Sequence, residues 1–297
     1  MERKKKKHRV WKIIAVLAGC LAVSLYLLLP IGFGVFASIR PAKSCGTAPD
    51  GFQDVTLTTT DGVALEGWYA PGSNGSAILV LHGSKSNRDA VRPYVQFLKD
   101  NGYGVLAIDL RGHGLSGGHA NAFGWQCTAD VGAAVEFLKK QPGVDSIGAL
   151  GLSMGGEVLL GAVSAYPEIS AIVADGASER CTADYVALPA NNNLWRSWTT
   201  RVMYWSVGLF TGAKPPTPIT ESIAGAPNTS LLLIAAGQSQ NEIHYNTLFA
   251  DIAGDRAQLW IVPNVGHTGA YAANSVEYAA AVSKFLESSL HSGQKGG

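Results

Sequence analysis

From residue 52 onward the chain alternates short apolar runs with amphipathic stretches. Phe52–Thr58 and Val63–Tyr69 predict two strands around the turn signal Thr60, Asp61 and Gly62. Ala77–Leu81, Gly104–Ile108, Ile147–Leu152, Ile169–Ala174, Ser230–Ala236 and Gln258–Val262 are apolar throughout or nearly so. Strands buried on both faces lose the period-two pattern and read this way. Between them, Arg88–Asn101, Trp125–Lys140, Met154–Tyr166 and Gln240–Ala253 predict helices, and Ala272–Leu290 predicts a last one. Repeated strand–helix–strand units predict a mostly parallel sheet with right-handed crossovers and helices on both faces. Ligands of such sheets sit beyond the carboxyl ends of the strands.

Two segments break the rhythm. The first is Ile13–Ile39, 27 residues without a charge. As a helix it would rise about 40 Å, against a hydrocarbon core of about 30 Å. Arg3, Lys4, Lys5, Lys6, Lys7, Arg9 and Lys12 precede it. That cluster predicts a single-pass anchor with a cytoplasmic N-terminus and an extracytoplasmic bulk. A cleaved leader ending near Val35, Phe36 and Ala37 is the alternative, but its apolar region is ordinarily 7–15 residues. The second is the stretch from Ala177 to Thr229, too long for a plain connection and rich in large aromatics: Trp195, Trp198, Tyr204, Trp205 and Phe210. It predicts a short helical cap at the carboxyl edge of the sheet, its aromatics divided between a core of their own and an apolar pocket. The expected organisation is a basic tail (1–12), an anchor (13–39), a polar linker (40–51) and one α/β domain (52–297) with the cap at about 178–229.

Charge narrows the partners. The chain of 297 residues carries 23 Lys+Arg and 22 Asp+Glu. Setting aside the seven basic residues of the tail and Glu2 leaves a net of −5. No basic stripe for nucleic acid remains, and topology and lipid contact account for the tail. Of Cys20, Cys45, Cys127 and Cys181, the first falls in the apolar run. An oxidising compartment would allow one disulfide among the rest, with Cys127–Cys181 favoured. No cysteine spacing matches a zinc site.

The chemistry lies in Gly151–Gly156, GLSMGG, between a predicted strand and a predicted helix. A serine needs a base and an unobstructed approach before it attacks a carbonyl. A sharp strand-to-helix turn exposes Ser153, and Gly151 and Gly155 relieve crowding two residues either side. The Met154 N–H then lies at a helix start, where it can hold an oxyanion. A second donor should follow an earlier strand. The run LHGS, Leu81–Ser84, fits, with the Ser84 N–H as the donor and His82 structural. Asp109, His113 and His119, in and just after DLRGHGLS, read as a hydrogen-bonded loop rather than as metal ligands. The base must come late: His244 falls in a helix and His291 in the tail, so His267, just past the last strand, is the choice.

LHGS, DLRGHGLS, GLSMGG and PNVGH (Pro263–His267) stand in an order and spacing that resemble the α/β-hydrolase superfamily, over about residues 52–290. The nearest likeness is to membrane-anchored bacterial serine hydrolases. The resemblance implies the α/β-hydrolase fold and the chain order serine, acid, histidine. It implies no metal and no organic cofactor. The family most often places aspartate three residues after the glycine closing the strand Ser230–Ala236, and here that slot holds Gln240. Some relatives use glutamate nearby, which makes Glu242 the expected acid and Asp175 the second candidate. The expected reaction is hydrolysis of a small-molecule ester with an apolar acyl group, through an acyl-enzyme on Ser153. A peptidase or amidase is the alternative, and a non-catalytic membrane-tethered binding module on a decayed scaffold is another.

Overall fold

The computed structural model describes residues 2–41, 44–119 and 121–290. His291 lies outside the described residues. Eight strands form one sheet in the order β1-β2-β4-β3-β5-β6-β7-β8. They are β1 (Gln53–Thr58), β2 (Ala64–Ala70), β3 (Ser76–Leu81), β4 (Gly104–Ile108), β5 (Ser146–Leu152), β6 (Ile169–Asp175), β7 (Ser230–Ala236) and β8 (Ala257–Val262). β2 is antiparallel to both β1 and β4, and every later pairing is parallel. The continuous apolar runs are the central strands: all six residues of β3 and all five of β4 are buried.

The N-terminal segment is α1 (Glu2–Val23), a π turn at Ser24–Leu28, and α2 (Leu29–Ser38). Lys4–Ser38 is one continuous helix, 35 residues long, with length and composition enough to cross a membrane. Around the sheet follow α3 (Arg92–Asp100), α4 (Thr128–Lys139) and α5 (Met154–Ala162). The cap comprises α6 (Thr182–Ala187), α7 (Leu194–Thr211) and α8 (Ile219–Ala224). α9 (Gln240–Ala253), α10 (Ala270–Ala273) and α11 (Ser275–Leu290) complete the chain. The single helix expected over Ala272–Leu290 is two, because the chain leaves helical geometry at Asn274.

Helices pack on both faces. Leu79, Leu106, Leu159 and Phe249 belong to one apolar cluster, while Ile78, Leu98, Val173 and Phe285 belong to the other. Successive residues of a strand point to opposite faces, so neighbouring Ile78 and Leu79 serve different clusters. Truncating either to alanine would cost about 2–5 kcal/mol.

The polar linker is docked on the domain, and one expectation changes. Arg40 Nη1 donates to the Gly118 carbonyl (2.6 Å), Asn87 Nδ2 to that of Ser44 (2.6 Å) and Arg92 Nη2 to that of Thr47 (2.8 Å). Cys127 and Cys181 are both free thiols, not a disulfide. They belong to different apolar clusters, and the Cys181 thiol donates to Asp184 Oδ2 (3.4 Å) within its own turn.

Candidate active site

Ser153 sits between β5 and α5 with φ +51° and ψ −121°, a conformation that L-residues adopt only at a cost of about 1–3 kcal/mol. Its amide donates to the Asp175 carbonyl on the neighbouring strand (2.7 Å), which fixes the turn. The flanking glycines are sterically required. A Cβ on Gly151 would lie 2.4 Å from the Gly155 carbonyl carbon, and one on Gly155 would lie 2.5 Å from the Leu81 oxygen.

His267 lies in the loop after β8. Gly237 N–H donates to the Val262 carbonyl (2.8 Å) and Gln238 N–H to that of Val265 (3.1 Å), which ties this loop to the one after β7. That tie brings His267 and Glu242 together. His267 Nε2 is 2.9 Å from Ser153 Oγ, and His267 Nδ1 is 2.7 Å from Glu242 Oε1. Glu242 stands in the first turn of α9, where the Ser239 side chain caps the helix. Its second oxygen accepts the Ala236 N–H (2.9 Å), so the buried carboxylate is held at both ends. Gln240 is exposed.

The electrostatics follow from these contacts. Burial pushes the Glu242 carboxyl up, but hydrogen bonds from His267 and Ala236 outweigh it and leave it below its ordinary value. The bond to Glu242 raises the His267 imidazole above its ordinary value, against partial burial. Asp175 is buried, and its carboxyl is raised to about 7 by desolvation. The Tyr278 hydroxyl beside it pulls it down by less than burial pushes it up.

Gly83 passes directly beside the serine: a Cβ there would lie 3.4 Å from Ser153 Cβ and 3.9 Å from Oγ. The turn carrying Ser84 therefore borders Ser153 on one side. Met154 opens α5 on the other, with one of the first-turn N–H groups that no helix satisfies internally. His82 is wholly buried. Its Nδ1 donates to the Gly83 carbonyl (2.7 Å), and its Nε2 accepts the Leu110 N–H (3.1 Å). Asp109 is saturated by Arg88 and by the amides of Arg88 and Leu115 (2.7 and 2.9 Å). His113 is buried, while His119 and His244 are exposed and stand apart from this arrangement.

The cap aromatics do not share one role. Tyr204 is buried against Phe123 and Trp125 (ring centroids 5.7 and 5.9 Å apart). Trp195, Trp198, Trp205 and Phe210 are exposed. Sequence reasoning missed the ties between α2 and the loops beside Ser153. Lys85 Nζ donates to the carbonyls of Phe36 (2.8 Å) and Ile39 (2.5 Å), and Asn121 Nδ2 to that of Ala37 (2.9 Å). Arg40, the charge that ends the apolar run, was the available signal.

Known proteins share this architecture. The Pyrococcus furiosus esterase Pf2001 superimposes with a TM-score of 0.68 at 26% identity, over 85% of this chain and 98% of that one. The Penicillium α/β-hydrolase GrgF superimposes with a TM-score of 0.60 at 19% identity, over 80% of this chain and 99% of that one, a likeness of fold alone. In sequence, the Mycobacterium tuberculosis protein Rv2307c is 33% identical over 143 residues, 46% of this chain and 50% of that protein. The chain spans about half the length of the curated relatives it matches. The same stretch of sheet, elbow and cap meets the Hydrolase_4 family model, described as serine aminopeptidase S33, across residues 72–224, just over half of the chain; the protein belongs to that family, and with it to the α/β-hydrolase superfamily.

Proposed function

We propose that this hydrolase cleaves carboxylic esters, apolar acyl groups favoured, by covalent catalysis on Ser153. The observation that carries the reading is the unbroken relay from Ser153 Oγ through His267 to Glu242, with contacts of 2.9 and 2.7 Å. Ser153 Oγ attacks the acyl carbon as His267 Nε2 takes its proton. Glu242 holds the imidazole by Nδ1 and stabilises the imidazolium that forms. The N–H groups of Ser84 and Met154 hold the oxyanion. His267 returns the proton to the leaving alcohol as the carbon–oxygen bond breaks. Water, activated by the same histidine, then frees the acid and restores the serine. No step requires a cofactor or metal.

The likeness to an esterase over nearly its whole length supports ester over amide. A peptidase or amidase is the second reading, favoured by the description of the matching family. The engaged carboxylate of Glu242 weighs against a decayed, purely binding scaffold. The apolar helix supports a membrane anchor, with the basic tail cytoplasmic and the catalytic domain outside. The contacts of α2 with the loops beside Ser153 support its retention in the working protein.

A fluorophosphonate probe followed by paired turnover assays tests the reading. We expect Ser153-dependent labelling and faster hydrolysis of p-nitrophenyl esters than of aminoacyl p-nitroanilides. No labelling would remove the enzymatic reading, and the reverse preference would install the amidase.

A further inference from the structure

The seam between α2 and α7 fixes where a bilayer can lie. Trp198 Nε1 donates to the Tyr26 carbonyl (3.0 Å), and Ser206 Oγ donates to that of Ile31 (3.3 Å). Gly34 lies against Met203 and Ser206. Tyr26 meets Trp198, and Ile31 and Gly34 meet the later Met203 and Ser206, so the two helices run parallel, with Leu194 and Trp195 toward α1. The uncharged run starts at Ile13. From there to Leu25 a helix rises only about 20 Å, and a core of about 30 Å needs roughly 20 residues, to about Gly32. The stretch from Tyr26 to Gly32 is thus needed to complete a span, and the first turns of α7 lie beside it.

The exposed face of α7 suits that depth. Trp195 is 85% exposed, Trp205 59% and Leu209 70%, with Leu194 and Trp198 also exposed. At about 100° per residue these five occupy an arc of about 100°. Arg201 stands about 20° beyond one edge of the arc, where its long stem can carry the charge to headgroups. Tryptophan concentrates at membrane–water interfaces for its apolar body and polar N–H. In water, the same arc would be an unusually apolar patch.

The far end of α2 leads to the site. It is fastened by Lys85, the residue after Ser84, and by Asn121. Three residues on from Asn121, a Cβ on Gly124 would lie 3.4 Å from Met154 Cγ. Two segments at the end of the apolar helix thus reach the site, one beside Ser153 and the other beside Met154.

We propose that α7 is seated in the leaflet on the catalytic-domain side of the membrane that the N-terminal helix crosses, and that the acyl substrate reaches Ser153 from that leaflet. The first half stands on the membrane reading of that helix; the second also rests on the ester-hydrolase reading.

The test uses the full chain with Trp11→Phe, reconstituted in phosphatidylcholine vesicles whose acyl chains carry bromine. Tryptophan fluorescence should be quenched by about a third, and adding Trp195→Phe and Trp205→Phe should abolish most of that quenching. Equal quenching before and after would overturn the seating. So would concentration-dependent cross-linking of a Trp205→Cys variant, which would assign the face to a second copy. For the route, Trp205→Ser with Leu209→Ser should cut hydrolysis of vesicle-dissolved p-nitrophenyl palmitate about tenfold and leave aqueous p-nitrophenyl acetate unchanged. Unchanged palmitate hydrolysis would overturn it. A wild-type protein that cleaves neither ester would remove the ester reading alone, because the quenching reports the seating without catalysis.

Discussion

Lys85 Nζ lies 2.8 Å from the Phe36 carbonyl oxygen, so the residue that follows Ser84 is bonded to the last turns of the N-terminal helix. The same ammonium lies 5.2 Å from the Phe36 ring centroid. The backbone of Lys85 has φ +56°, so this turn is held in an uncommon conformation. Lys85 is a positioning residue: it would act through Ser84. Lys85→Met should remove about 1 kcal/mol of support. That would lower Tm by about 2–4 °C in a domain of this size. If Ser84 holds the oxyanion, kcat for p-nitrophenyl acetate should fall about fivefold with KM little changed. A shift in Tm with kcat intact would make the contact purely structural.

Ser153→Ala and His267→Ala should each abolish turnover, by about 10⁶-fold, because nucleophile and base act as one unit. Fluorophosphonate labelling and kcat on a short ester read this out. Far-UV circular dichroism should not change, since neither truncation lies in the packed core of the sheet. Wild-type turnover in the serine variant would remove the elbow from the chemistry.

Glu242→Gln should cost about 10²–10⁴-fold in kcat, since an amide cannot stabilise the forming imidazolium. The pH profile gives a second readout. His267 acts as base in its neutral form, and Glu242 raises its pKa above the ordinary value. The acidic limb of kcat/KM should therefore lie above the ordinary histidine range, about 6.5, and move to lower pH in Glu242→Gln. An unmoved limb would assign it to another group.

Asp175 should behave in the opposite way. Its folded carboxyl is raised to about 7 by burial, while an unfolded aspartate titrates near 4. Between those values the folded state binds more protons, so stability falls as pH rises through that window. Asp175→Asn should raise Tm at pH 8, leave it nearly unchanged at pH 4, and retain most of kcat. A collapse of turnover in this variant with Glu242→Gln active would transfer the acid's role to Asp175.

The strand series was legible because buried parallel strands carry unbroken apolar runs, as in Ala77–Leu81, and the elbow because glycine spacing is a backbone requirement. His267 was legible from its place after the last strand. The exposed Gln240 could misdirect the choice of acid, and only the distance from Glu242 to His267 shows which carboxylate meets the imidazole. The cap was legible as an insertion but not in its orientation. Which face of α7 meets α2 depends on a pairing some 170 residues apart, and periodicity describes one helix at a time. Favouring Cys127–Cys181 failed for a related reason: cysteine counts carry no information about which apolar cluster receives each thiol.

Gly34 allows a direct test of the seam. A Cβ there would lie 2.3 Å from Ser206 Oγ and 2.6 Å from the Met203 carbonyl oxygen, whereas one on Gly32 would meet nothing within 4 Å. Ser206 can rotate, but the Met203 backbone cannot yield without shifting α7. Both substitutions gain about 1 kcal/mol of intrinsic helix propensity. Gly32→Ala should keep that gain. Gly34→Ala should lose it to overpacking of about 1–3 kcal/mol, and Gly34→Val should lose more. In vesicles, limited proteolysis should then cut the connection out of α7 (212–218) faster in the Gly34 variants than in wild type or Gly32→Ala. Equal cleavage rates in all four proteins would mean that α2 and α7 separate in the membrane.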